Sequence, residues 1–225
     1  MLLKLVIAPL IGLLLTAITV AQEHRVEVLD EAPPTDGVSE ELRQQLAESG
    51  FKVIRGSSRT VLEFWPCQSW QVKADFEATN ERLYPFEPGQ LIGLLRFRRR
   101  GKDFREQTIS SGVYTLRYGL QPIDGNHEGT SPTRDFLLMV SAEDDKAVEP
   151  WDAEKLLEAS AEAAGSGHPA MLCLQKSSAG ASPRPTLRHN ERNDWWILHF
   201  VGKATSRGKT HELPMDLIVA GHAKE

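Results

Sequence analysis

The densest run of chemistry-bearing side chains is Asp124-Gly125-Asn126-His127-Glu128-Gly129, which continues through Thr130 and Ser131 to Arg134 and Asp135. Calcium wants several carboxylate and carbonyl oxygens converging on one point, and Asp124, Asn126, Glu128 and Asp135 offer them. His127, with Asp124, Glu128 or Asp135 beside it, would serve a metal-assisted hydrolase as proton donor. The same residues also make an ordinary connection between strands. Asp and Asn tolerate turn conformations, Gly125 supplies positive φ, and Ser131-Pro132 reads as a further turn. Arg134 and Asp135 would then pair with loop backbone or with each other. The candidate ligand-binding residues are therefore Asp124, Asn126, His127, Glu128, Arg134 and Asp135.

The core of that run, Gly125-Asn126-His127-Glu128, resembles the Asn-His block of the calcineurin-like metallophosphoesterases. The resemblance implies metal ligation by Asn126 and protonation of the leaving oxygen by His127. It covers four residues. The chain contains no Asp-x-His, and Gly221-His222 is followed by Ala-Lys rather than by x-His. Without those ligands two metals cannot be held side by side, so no metal and no cofactor are expected. The other His residues (24, 168, 189, 199, 211 and 222) show no i, i+4 pair and no HExxH. A centre drawn from His127, His189 and His222 on different strands is the one three-His arrangement that spacing leaves open. There is no GxSxG elbow, and no catalytic residue is assigned.

Three further features carry alternatives. Trp195 and Trp196 are adjacent in an apolar run, so in a strand they point to opposite faces. Trp196, Leu198 and Phe200 read as the core face. Trp195 shares its face with Ile197, His199 and Val201, and an exposed Trp195 beside His199 would suit stacking on a sugar or aromatic ring; otherwise that face lies under a helix or loop. Cys67 and Cys173 are the only cysteines, either one disulfide with forced pairing or two buried thiols. Arg96, Arg98, Arg99, Arg100 and Lys102 form a basic tip that reads first as a solvated hairpin resisting edge aggregation.

These residues need a scaffold, and the composition bounds it. The 225 residues are 40% apolar and 25% charged with a net charge of −5, which excludes fibrous, disordered and multi-span membrane classes. The acidic balance argues against a nucleic-acid partner. Lys4 precedes an uncharged run from Leu5 to Ala21 in which Thr19 and Ala21 occupy the −3 and −1 positions of a signal-peptidase site. Cleavage there predicts a periplasmic or extracellular chain with no membrane contact afterwards; an uncleaved anchor is the competing reading.

After this leader (residues 1–21) comes an extension over 22–50 with a short helix, where Val38, Leu42 and Leu46 recur at i, i+4, i+8. From Phe51 the period changes to two. FKVIR, TVLEFW, LIGLLRF, VYTLRYGL, DFLLMVS, AMLCL, DWWILHFV and LPMDLIVA predict strands, and Trp70 to Ala78 alternates without error. DAEKLLEASAEAA, between Pro150 and Gly165, predicts a second helix. Strands that do not alternate with helices predict a mainly β fold: an antiparallel β-sandwich or jelly-roll-like domain over 51–225, with two short helices.

The blocks GVYTLRYGLQP, DGNHEGTSPTRDF and NDWWILHFVG, with YPFEPGQLIGLLRF before and LIVAGH after them, resemble a group of bacterial secreted proteins of unknown function. The resemblance spans about Leu83 to His222 and implies export and a β-rich fold, with no activity attached. The expectation is an exported, non-enzymatic binding or envelope-associated protein whose partner is a glycan, an envelope component or another protein. A metal-assisted hydrolase is the rival.

Overall fold

The computed structural model describes residues 23–123, 131–177, 180 and 184–223. The elements in chain order are β1 (His24–Leu29), α1 (Glu40–Arg43), β2 (Gly50–Arg55), β3 (Arg59–Pro66), β4 (Trp70–Gln71), β5 (Leu91–Phe97), β6 (Gly101–Lys102), β7 (Thr108–Ile109), β8 (Gly112–Leu120), β9 (Asp135–Ser141), α2 (Ala153–Ala164), β10 (Met171–Gln175), β11 (Thr186–Asn190), β12 (Trp195–Ser206) and β13 (Lys209–Ala220). The fold is mainly β with two helices.

One eleven-stranded sheet runs in the order β1-β2-β3-β5-β8-β9-β10-β13-β12-β11, and β4 joins β12 off that path. Neighbours are antiparallel except β4 with β12. Most neighbours are also consecutive in sequence; β2–β3, β11–β12 and β12–β13 are joined by short turns, whereas the β9–β10 connection carries α2. The sheet curls into a half-barrel, and its two edge strands, β1 and β11, approach each other. Phe51 and Phe64 from one half meet Phe200 from the other, with ring centroids 5.3 and 5.4 Å apart. The two facing layers thus belong to one sheet.

Alternation explains which side chains fill the curl. On β8, Tyr114, Leu116 and Tyr118 enter the inner cluster with Leu137 and Met139 of β9, Leu172 and Leu174 of β10, and Leu217 of β13. The outward residues of β9, Phe136, Leu138 and Val140, form a second cluster with Leu156 of α2, Trp151, Cys173, Ile197 and Ile218. These central strands are covered on both faces, which is why their sequences are almost continuously apolar.

Two sequence expectations fail here for identifiable reasons. Trp70 to Ala78 is not a strand beyond Gln71. Trp70 is buried and Val72, Ala74 and Phe76 are partly so, but Ala78 is exposed, backbone bonds to the sheet end at Val72, and Asp75 adopts φ +54°. Alternation reports one-sided burial; it does not report a hydrogen-bonding neighbour. The helix expected around Val38 to Leu46 is a single turn capped by Ser39. Leu46 leaves it to bridge Cys67, so its apolar side chain is buried without helical continuation. The β12–β13 hairpin is longer than the sequence suggests. Arg207 and Gly208 take φ +48° and +75°, positive values at both central positions of a two-residue turn that matches strand twist.

Candidate functional site

Helix α2 is placed by a buried ion pair in the segment that leads to it. Arg117 projects from the outer face of β8 and is wholly buried. Its Nε donates to Asp145 Oδ2 at 2.7 Å, one terminal nitrogen to Asp145 Oδ1 at 2.8 Å and to the Ala147 carbonyl, and the other to the Gly89 and Glu149 carbonyls at 2.7 and 3.0 Å. Thr115 donates to the same carboxylate. Gly89 takes φ +82°, and a Cβ there would lie 2.0 Å from the Trp151 carbonyl oxygen, so only glycine lets the two backbones meet.

The helix that follows has conventional ends. Asp152 accepts from the Glu154 and Lys155 amides, and Gly165 closes it in the left-handed conformation. Ser160, buried, donates to the Ala170 carbonyl at 2.9 Å and fixes the helix to the start of β10. Leu156 enters the outer cluster, whereas Leu157 is 40% exposed.

A second fixed point faces the helix. Asp103 is buried and accepts from the Arg105, Gln107 and Met171 amides and from Gln107 Nε2. Burial nonetheless holds its carboxyl above the ordinary range. This turn presents Phe104, whose backbone is clamped by Met171 and Ala223 and whose ring meets Trp195 edge-on at 5.7 Å.

Between α2 and this turn lies a half-open groove of about 1090 Å³. Phe104, Phe136, Leu138 and Met171 form its floor, and Leu157 and Ala161 its helical wall. Arg105, Glu106, Glu158, His168 and His222 are its polar edge, and Gln121, Pro122 and Ser131 close one end. The arrangement can enclose an apolar body and hydrogen-bond a polar end. Its residues come from separate segments, which is why sequence reading missed them. The one local signal is the Leu156-Leu157 pair, where a single core-facing stripe needs only one leucine.

The residues singled out from the sequence are dispersed. Asp124, Asn126, His127 and Glu128 lie outside the described residues; the flanks of their loop, Pro122 and Ser131, reach the groove. Arg134 instead ties the Gln121 carbonyl at 2.9 and 2.7 Å. Asp135 is fully buried on the inner side, accepting from the Leu83 and Tyr84 amides and from the Tyr118 hydroxyl at 2.5 Å. The carboxyl is raised above its ordinary value, chiefly by burial. Both residues anchor chain through these bonds.

Of the two alternatives for Trp195 the covered one holds, since it joins the outer cluster with Phe104 and Leu156, while Trp196 packs against the inner cluster. Trp195 is only 6% exposed and donates to the His222 carbonyl at 2.7 Å, so it offers no stacking platform. Trp196 is the half-exposed one, stacked on His189 at 4.4 Å with His24 at 4.7 Å. The disulfide is not formed. Cys67 and Cys173 are free thiols buried in different apolar clusters. Burial pushes the Cys67 thiol up to about 12 and raises that of Cys173 as well, so neither is a ready nucleophile.

His199 is 2% exposed, and its Nδ1 lies 2.6 Å from Oδ1 of the fully buried Asp216. A carboxylate accepts only, so Nδ1 carries the proton, and Nε2 is buried without a partner among the described residues. Arg188 holds the other oxygen of Asp216 at 3.0 Å. Ser177 Oγ donates to Asp216 Oδ1 at 3.2 Å and lies 3.5 Å from Nδ1. In a Ser-His-Asp triad the serine sits at Nε2 and the aspartate at Nδ1. Here both are at Nδ1, so Ser177 is not placed as a nucleophile. No group of three His, Cys, Asp or Glu among the described residues could hold a metal ion.

Comparison of the chain with protein-family models, with curated proteins and with solved structures gives no match.

Proposed function

We propose that this chain is an exported, non-enzymatic binding protein whose ligand has an apolar body and a polar end and lies in the groove beneath α2. The observation that carries the reading is the groove itself. Its volume stands at the upper end of the range of small-molecule sites, and an apolar floor with a few polar edges is how such sites are lined. Its two walls are anchored independently, one by Arg117–Asp145 and the other by Asp103, so the space is held open by the scaffold. We read the curled sheet as a flattened, sandwich-like barrel whose outer face, not its filled interior, is the working surface. Export rests on the leader at residues 1–21 and on the resemblance to secreted bacterial proteins.

A thermal-shift screen of the mature chain against amphiphiles, glycans and divalent metals tests this. An amphiphile at a hundred times its dissociation constant should stabilise by about 2.7 kcal/mol. A response to metals alone would replace this reading with the metal-assisted one.

A further inference from the structure

The rim where β1 and β3 begin and β2 ends, opposite the β5–β6 tip, gathers Arg55, Arg59, Arg99 and Arg100, whose side chains have no carboxylate partner among the described residues. We propose that it is a binding site for a phosphate group. The site is a cleft of about 300 Å³ whose walls include His24, Arg55, Arg59, Arg99, Arg100 and Lys102. Strand register puts the first three in one row: His24 pairs with Arg55, and Arg55 pairs with Arg59. Residues directly opposite share a face, and like charges so placed destabilise a hairpin. The sequence accepts that cost in a chain that carries five more acidic than basic residues.

Several other arginines, among them Arg25, Arg43, Arg117, Arg188 and Arg207, have carboxylate partners. Arg96 and Arg98, in the same basic run, both bind Glu63 and Glu31. The side chains of Arg55, Arg59, Arg99 and Arg100 make no hydrogen bond or ion pair among the described residues. None of the acidic side chains that line the cleft bonds to them. Asp103 is saturated by amide donors, Asp194 holds His189 at 2.8 Å, and Glu106 holds His222 at 3.4 Å.

Guanidinium groups match phosphate oxygens through paired donors, and two or more converging on one anion would turn repulsion into attraction. A cleft of this size admits a head group, and the phosphate is either free in solution or borne by a lipid.

The experiment uses the mature chain, Arg55→Gln/Arg59→Gln, and Arg98→Gln as a control for loss of a basic side chain outside the cleft. Calorimetric titration with pyrophosphate is one arm; flotation with phosphatidic-acid or phosphatidylcholine vesicles is the other. The expected result is binding to pyrophosphate, or to phosphatidic-acid vesicles only, that the double variant weakens by about tenfold or more and Arg98→Gln leaves nearly intact. The double variant should melt no lower than wild type, because it removes like-charge repulsion. Binding in neither arm, or equal weakening by Arg98→Gln, overturns the proposal.

Discussion

Asp145 and Asp216 are both completely buried carboxylates that hold a basic side chain, yet they are finished differently. Around Asp145 every donor has an acceptor: Arg117 spends its guanidinium on one carboxylate and three carbonyls. Around Asp216 the imidazole of His199 is oriented with care on one side and left without a partner on the other. A saturated pair marks scaffold, since it locks the approach to α2 and has no capacity left for a ligand. An unsaturated one marks a place where the molecule tolerates a cost. Among the described residues no hydroxyl or thiol lies at Nε2, where a triad would place its nucleophile.

The contrast predicts unequal costs. Arg117→Met leaves Asp145 buried and unpaired and should lose about 3–5 kcal/mol in urea unfolding. It should also loosen α2, detected as faster amide exchange from Leu156 to Ser160. His199→Phe should change stability by no more than about 1 kcal/mol, because the lost hydrogen bond is offset by removing a buried, unpaired nitrogen while Arg188 and Ser177 still serve Asp216. Equal losses for the two variants would erase the distinction.

A third buried carboxylate sharpens it. Asp135 accepts hydrogen bonds from two amides and a hydroxyl, and among the described residues no cation is bonded to it. Its carboxyl is raised above 3.8 by burial first of all. A group raised on folding contributes stability that is fully present below its unfolded value and is lost as pH rises through its folded one. Unfolding of wild type and Asp135→Asn, compared from about pH 3 upward, should therefore show the wild-type advantage shrinking as pH rises. A wild-type advantage that grows with pH would mean that the amides outweigh desolvation.

Much of the scaffold is legible before any coordinates. The strands around Phe64, Leu94, Leu116, Leu138 and Leu217, and the helix from Ala153 to Ala164 with its Asp152 and Gly165 ends, follow from periodicity and capping alone. The failures share a cause, which is that periodicity senses burial and not partners. Trp70 to Ala78 buries one side with no ladder, and Leu46 is buried by a bridge instead of a helical turn. Trp195 and Trp196 could not be ranked locally either. Their exposure depends on Phe104 and α2 covering one face, and on the seam between β1 and β11 uncovering the other. The groove was hidden for the same reason, because Phe104, Leu138, Leu157 and Met171 meet only through tertiary contact.

The claim on which the functional account turns is that this groove receives an apolar ligand. Titration of Nile red, an uncharged dye that brightens and shifts to the blue in apolar surroundings, measures it in wild type and in Ala161→Trp, where the new indole fills the space beside Leu157. The account predicts a saturable blue-shifted signal in wild type and its loss in the variant at unchanged stability. Equal dye binding by both proteins would contradict it.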